Sequence, residues 1–259
     1  MTKWNEYNST ELHGFDYRIL NTYKIPNKLV RVGPNEDGGY VIADGFDYDL
    51  FISCGIANDI RFEEAFLQVY KIRCVAFDGT IQSFPPQMNN IEWVNKNIGY
   101  SNTAKTTNLK EYIKNNKRIF LKMDIEGSEF NWLESMTEIE LENLSQIVIE
   151  VHWPFDIYRM NMLNKLNKTH YIIHLHGNNY CDRDIPQHMP SGRTYDGTVT
   201  IENKETGTIT LPEVFEITYI NKNLCDNSLV EKAQIEFPTA LDYPNNADAK
   251  DIKFSIPLL

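Results

Sequence analysis

An α/β fold with a mostly parallel sheet, helices on both of its faces and a late β-hairpin is what this 259-residue sequence predicts. Three observations carry that expectation. Short apolar runs recur at 48–55, 72–78, 118–123, 146–152 and 170–177, and segments of helical period lie between most of them. The runs are apolar on both faces, as strands covered on both sides are. Several of them end abruptly in acids or histidines, at the carboxyl edge where open α/β sheets bind ligands.

Composition narrows the class. With 42% hydrophobic residues the chain can bury a sizeable core, and with no internal repeat or low-complexity linker it reads as one domain. That domain divides into an N-terminal extension (1–28), a core (29–220) and a polar tail (221–259). No apolar run approaches the roughly 18 residues of a membrane span. The opening MTKWNEYNSTELHG lacks the order of a secretory signal. Cys54, Cys74, Cys181 and Cys225 form no CxxC pair and suit a reduced compartment, so a cytoplasmic location is expected. A net charge of −11 argues against nucleic acid and anionic membrane as partners, and leaves a small-molecule substrate open.

In chain order, the sequence predicts a helix over 10–23 that stops before Pro26. LVRVGPNEDGGYVIA (29–43) reads as a β-hairpin turning at Asp37, Gly38 and Gly39. One of the two glycines serves the turn, and the other leaves backbone free to approach a ligand. YDLFISCG is a buried strand running into a turn at Gly55 and a helix whose face is Phe62, Ala65, Phe66, Val69 and Tyr70. KIRCVAFDGT is a second strand, ending in Asp78. An acid there commonly accepts the hydroxyls of a cofactor ribose, while an Asp–Gly turn serves structure alone. Residues 91–98 form a third strand, 109–113 a short helix, RIFLKMD the fourth strand, 131–142 a helix and QIVIEVH the fifth strand. A further helix follows from Ile157, and HYIIHLHG is the sixth strand. GTVTIENKETGTITL (197–211) alternates as a hairpin, VFEITYI (214–220) is the last strand, and the tail is expected on the surface.

The polar groups converge at strand ends. The stretch RIFLKMDIEGSE joins an apolar run to Asp124, Glu126, Gly127, Ser128 and Glu129 just before a helix, where acids either cap the helix or hold a ligand. Side chains alternate along a strand, so Lys122 shares a face with Asp124, Glu150 with His152, and His174 with His176. Charged groups at the ends of core strands are costly unless paired or ligating, so this grouping points to a divalent-metal or acid/base site. A single histidine would more simply be a hydrogen-bonded structural group. His170 and His188 flank turns and are expected in solvent.

LKMDIEGSE resembles the signature of FkbM-type S-adenosylmethionine-dependent O-methyltransferases, and RVGPNEDGGYVI, IVIEVHW and HLHGNNY are similar to segments of bacterial members associated with surface-polysaccharide genes. The resemblance covers roughly residues 29–220. It implies the class I methyltransferase (Rossmann-like) fold, a seven-stranded sheet of order 3-2-1-4-5-7-6 with the last strand antiparallel. On that resemblance S-adenosylmethionine is bound by Gly55, Asp78, Asp124 and, around the hairpin turn, Asp37, Gly38 and Gly39. SCGIAND departs from the usual acid-plus-glycines pattern of the first turn.

The resemblance further implies a sugar or nucleotide-sugar acceptor. A sugar hydroxyl is a poor nucleophile until a base or cation stabilises its alkoxide. Asp124, Glu150, His152 and His176 are the candidate ligands of a divalent ion (Mg²⁺ or Mn²⁺, with Fe²⁺ a further candidate), and Lys122 or His176 the candidate base. The alternatives are a metal-independent methyltransferase with a histidine base, and a non-catalytic glycan-binding or partner-binding protein on the same fold. The hairpin at 197–211 could line the acceptor site or form a homodimer contact.

Overall fold

The computed structural model describes residues 15–84, 90–180, 197–203 and 207–258. A 3-10 turn, Tyr17–Leu20, opens it, capped by the Asp16 carboxylate on the Arg18 amide, and leads to β1 (Thr22–Lys24). The hairpin β2 (Leu29–Val32) and β3 (Tyr40–Ala43) comes next. Then follow β4 (Leu50–Cys54), α1 (Arg61–Tyr70), β5 (Cys74–Phe77), β6 (Ile91–Val94), and the short pair β7 (Asn97–Ile98) and β8 (Thr106–Thr107). After α2 (Lys110–Asn115) come β9 (Ile119–Met123), α3 (Glu129–Ser135), α4 (Glu138–Leu141) and β10 (Leu144–His152). The second half holds α5 (Ile157–Thr169), β11 (His170–Gly177), the paired β12 (Thr198–Asn203) and β13 (Gly207–Pro212), and β14 (Val214–Asn221). Three short strands end it: β15 (Glu231–Ala233), β16 (Glu236–Phe237) and β17 (Phe254–Ser255).

The main sheet has the order β15-β1-β11-β14-β10-β9-β4-β5-β6. Its inner seven strands follow 3-2-1-4-5-7-6, with β14 antiparallel to both β10 and β11 and the other neighbours parallel. The expected count of seven is corrected to nine. The N-terminal extension adds β1 parallel to β11, and the tail adds β15 antiparallel to β1, tied by Thr22 Oγ1 donating to Ala233 O (2.8 Å). All nine residues of β10 are buried, as its continuous apolar run requires.

Two cores clothe the sheet. On one face Leu121, Met123, Ile147 and Ile149 pack with Trp132 of α3 and Leu163 and Leu166 of α5. On the other, Phe51, Phe120 and Val148 pack with Phe62 and Phe66 of α1 and with Tyr40 and Ile42 of the hairpin. The Phe66 and Phe120 rings stand 4.3 Å apart. Gln146 ties the hairpin down by donating to Ala43 O and accepting from Ala43 N.

Several expectations are corrected. Residues 17–24 form a 3-10 turn and a strand instead of a helix; 10–14 lie outside the described residues. Val69 faces solvent, so the buried stripe of α1 is narrower than its spacing suggested. The stretch 91–98 splits into β6 and β7, which pair with different strands. The helix over 131–142 breaks at Met136, because Thr137 forms a capping box with Glu140 and starts α4 afresh. The pair β12–β13 turns Val199, Ile201 and Leu211 into the main core. The tail is no surface wrap: Phe237, Ile252, Phe254 and Ile256 are buried in that same core.

Candidate active site

The carboxyl ends of β4 and β9 are stitched together. The Asp124 amide donates to Cys54 O (3.0 Å), and Gly55 has φ +74°. A Cβ at Gly55 would stand 1.5 Å from Asp124 O, so glycine is required for the two chain segments to touch. Lys122, buried on β9, donates from Nζ to Gly55 O at 2.6 Å. The structure therefore makes Lys122 a strut between the strands, its Nζ engaged by the Gly55 carbonyl.

Beyond Met123 the chain turns tightly, with Glu126 (φ +56°) and Gly127 (φ +90°) both left-handed. The turn wraps around one carboxylate. Glu129, fully buried at the start of α3, accepts from the amides of Ile125 (3.2 Å) and Gly127 (3.1 Å) through Oε1. The same oxygen lies 3.2 Å from His152 Nδ1. On β10, His152 and Glu150 share a face, and His152 Nε2 is 3.2 Å from Glu150 Oε1 and 3.5 Å from Glu126 Oε2. Asn178 Nδ2 donates to Glu150 Oε2 (3.1 Å).

Asp124, Glu150 and His152 thus offer three ligand atoms within 4.8 Å of one another. Asp124 Oδ1 is buried with no hydrogen-bond partner. Burial, then the adjacent Glu150 charge, holds the Asp124 carboxyl well above the ordinary carboxylate range. Burial also raises Glu150. For His152 burial pulls downward, but Glu129 and Glu150 outweigh it and raise its pKa to about 11. Glu129 and Glu150 on either side of the imidazole thus favour its protonated form.

His176 stands apart from that set. On β11 it faces Glu216 of β14, which lies between β11 and β10. Its Nδ1 is 2.9 Å from Glu216 Oε2 and its Nε2 is 3.1 Å from Asp251 Oδ1. Burial lowers its pKa, yet Glu216 and Asp251 raise it to about 10. His176 thus sits between two other carboxylates, Glu216 and Asp251, and the structure does not bring it into the Asp124, Glu150 and His152 cluster. His174 Nε2 likewise meets Asp242 Oδ1 at 2.8 Å. His170 is buried rather than solvated; its Nε2 lies 2.9 Å from Leu144 O, and burial lowers it to about 4. His188 lies outside the described residues.

The hairpin turn borders this edge. Asp37 is exposed and accepts from Asn245 Nδ2 at 2.9 Å. Asn245 Nδ2 also donates to Glu216 Oε1. Gly38 carries the left-handed φ (+80°). A Cβ at Gly39 would meet Pro34 O at 2.0 Å, so the freedom of that glycine serves the loop's own packing.

At the end of β5, Asp78 Oδ2 accepts from the Ala57 amide (2.8 Å), and Oδ1 from Thr80 N (2.8 Å) and Oγ1 (2.6 Å). Burial works against the ionised form, but these bonds prevail and lower its pKa. Half-buried Ile81, Phe84 and Trp93 make an apolar shelf beside it, and Trp93 Nε1 donates to Asp78 O (3.2 Å). The residues that sequence reasoning missed are Glu216, Asp242, Asn245 and Asp251, along with the buried orienting role of Glu129. An acid inside the apolar run VFEITYI was a readable signal for Glu216; the tail residues carried none.

No curated protein matches the sequence. Among solved structures the chain is similar to a fibrillarin/Nop5p complex (11% identity, 66% of this chain and 72% of that one, TM-score 0.34). It is also similar to a putative hemolysin from Streptococcus thermophilus (10%, 71% and 70%, 0.37). A complex of the Haloferax volcanii Trm112 methyltransferase activator with a putative methyltransferase matches at 10% (66% and 83%, 0.30). The model of the methyltransferase FkbM domain matches residues 34–169, just over half of the chain. The chain belongs to the FkbM methyltransferase family.

Proposed function

We propose that the protein is an S-adenosylmethionine-dependent O-methyltransferase acting on a sugar hydroxyl, in a nucleotide-linked sugar or glycan precursor, with a divalent cation at Asp124, Glu150 and His152. The observation that carries this reading is the cluster of Asp124, Glu150 and His152, whose ligand atoms lie within 4.8 Å of one another, in which Asp124 also keeps a buried, unpartnered Oδ1. The donor set is hard, two oxygens and one nitrogen, and suits Mg²⁺, Mn²⁺ or Fe²⁺. Glu129 on His152 Nδ1 is the outer partner that a ligating imidazole ordinarily has.

Family membership implies S-adenosylmethionine as methyl donor, and the residues here fit it. Asp78 retains acceptor capacity for ribose hydroxyls beyond the bonds it makes. Ile81, Phe84 and Trp93 offer an adenine a half-buried apolar surface. Gly55 sits between that region and Asp124, so the reacting centre of a bound donor would face the acids at the end of β9.

A cation held there supplies Lewis acidity that favours the alkoxide of an acceptor hydroxyl. The chain's own residues align that hydroxyl and leave the proton a route outward. Glu126, with an 86% exposed side chain 3.5 Å from His152 Nε2, is the acid of the cluster that reaches solvent. Exposed Tyr180 and Asp37 at the rim suit a hydroxyl-rich ring, through stacking and hydrogen-bond acceptance. Glu129 and Glu150 favour the protonated form of His152, so it has to give up that proton before it can act either as a ligand or as a base.

The test is methyl transfer from S-adenosylmethionine to a panel of nucleotide sugars, with chelator and with Mn²⁺ restored. Activity lost with chelator and recovered with Mn²⁺ supports the reading. Activity indifferent to chelator removes the cation from it, and donor binding without turnover on any sugar removes the acceptor class.

A further inference from the structure

Tyr40 follows the hairpin turn of Asp37, Gly38 and Gly39 and begins β3. Contacts along that strand fix where it stands. Followed backwards from Ala43, β3 crosses the sheet towards the paired Glu150 and Glu216: Ala43 meets Gln146, Val41 O accepts from Thr218 Oγ1, and Tyr40 comes next. The centroid of the Tyr40 ring lies 6.0 Å from Lys122 Nζ, the group that holds Gly55 O. The ring also packs edge-on to Phe62 of α1, with centroids 5.3 Å apart. Tyr40 therefore stands between the acids at the end of β10 and the turn at Gly55.

Packing does not explain its hydroxyl. Tyr40 is 3% exposed, yet the hydroxyl has no hydrogen-bond partner among the described residues. A buried phenol ordinarily finds one, and leaving it bare costs ~1–3 kcal/mol, where phenylalanine would fill the same space. Tyr219 also keeps a bare hydroxyl, but only burial acts on it. On Tyr40 the charges of Asp124, Glu150, Glu216 and Asp37 act as well, in that order. A phenol is protonated at neutral pH, and these charges keep it so, which leaves an unused donor among four acids. Tyr40 is enclosed to about the same depth as Glu150 and His152, the depth of an acceptor oxygen held by that cluster.

We propose that Tyr40 Oη donates a hydrogen bond to the acceptor oxygen at the Asp124, Glu150 and His152 cluster and so stabilises its ionised form. The donor lowers the pKa of the acceptor hydroxyl. In the transfer the oxygen gives an electron pair to the methyl carbon, and the carbon–sulfur bond breaks towards sulfur. The hydroxyl proton leaves by way of Glu126, and Tyr40 keeps its own. The proposal rests on the methyl-transfer reading above and adds one group to it.

4-Nitrocatechol, a diol whose ionised form differs in colour, tests it without turnover. The probe is titrated into the Mn²⁺-loaded full chain, wild type and Tyr40→Phe, and its absorbance is followed as the pH is raised. Tyr40→Phe is expected to weaken binding about tenfold or more and to raise the apparent pKa of the bound probe by about one unit per tenfold. Mn²⁺ affinity, S-adenosylmethionine affinity and Tm stay as in the wild type, because the ring contact with Phe62 is kept. Equal probe binding by the two proteins overturns the proposal and leaves the hydroxyl with ordered water only. A parallel fall in Mn²⁺ or donor affinity also overturns it, since Tyr40 would then shape the cluster or hold the donor. Failure of the wild type to bind Mn²⁺ removes the cation reading and this proposal with it. Mn²⁺ binding without probe binding removes this proposal alone.

Discussion

Glu129 Oε1 lies 3.2 Å from His152 Nδ1 and, through the same atom, accepts the amides of Ile125 and Gly127. One buried carboxylate therefore sets both the shape of the DIEGSE turn and the direction in which His152 presents Nε2. Glu129→Gln keeps an acceptor for the turn but loses the charge that orients the imidazole. Mn²⁺ affinity is expected to fall about 10–100-fold with little change in Tm. Calorimetry on variant and wild type checks this; equal affinities would assign Glu129 to the turn alone.

Cation binding is expected to compete with protons. In the free protein His152 is held protonated, with a pKa of about 11, and must lose that proton to become a ligand. Affinity should therefore rise with pH through the neutral range, by about tenfold per unit for each proton displaced. Titrations in buffers of different ionisation enthalpy would register the release of at least one proton per ion. A pH-independent affinity would exclude His152 from the ligand set.

The His176–Glu216–Asp251 triad makes a stability prediction with a definite sign. The folded pKa of His176, about 10, lies above its ordinary 6.5. Its contribution is thus fully present below about 6.5, declines above that and is lost as pH passes 10. His176→Gln leaves Glu216 buried with its charge uncompensated and should cost about 3 kcal/mol at pH 6 to 7. Urea unfolding should show the gap between variant and wild type closing towards pH 10. A constant gap would mean that packing, rather than charge, accounts for the loss.

Gly55 and Lys122 hold the donor side of the site in shape. Gly55→Ala is expected to destabilise the protein by at least about 3 kcal/mol, because its Cβ would strike Asp124 O and the backbone is left-handed. Lys122→Met keeps much of the buried stem but frees Gly55 O; it should weaken S-adenosylmethionine binding while the chain stays folded. Circular dichroism melting and donor titration on both variants check the two expectations. Unchanged donor affinity in Lys122→Met would contradict a part for the strut in holding the donor site.

Much of this arrangement was legible in the sequence, and the reasons are physical. Continuous apolar runs such as IFLKM and QIVIEVH can only be strands covered on both faces, so the order of elements followed. Alternation along β10 then put Glu150 beside His152, and the carboxyl-edge rule put Asp124 next to them. What escaped reading depends on contacts far apart in the chain. Glu216 enters between β10 and β11 because β14 inserts there, and it draws His176 away from the acids at β9. The tail residues Phe237, Ile252 and Phe254 lie in short strands or loops, where no period develops. Asp242 and Asp251 gain meaning only from the histidines they meet. Which of Gly38 and Gly39 serves the turn was open in the sequence; the missing Cβ of Gly39 accommodates Pro34 O.

The measurement that tests the account most directly is calorimetric titration of S-adenosylmethionine into the purified chain, with and without Mn²⁺, for wild type and Asp78→Ala. Saturable binding that Asp78→Ala abolishes, in a variant that still melts cooperatively, is the predicted result. No binding to the wild type under either condition would contradict it, and leave the acids and His152 at the carboxyl edge without the methyl donor that the account sets beside them.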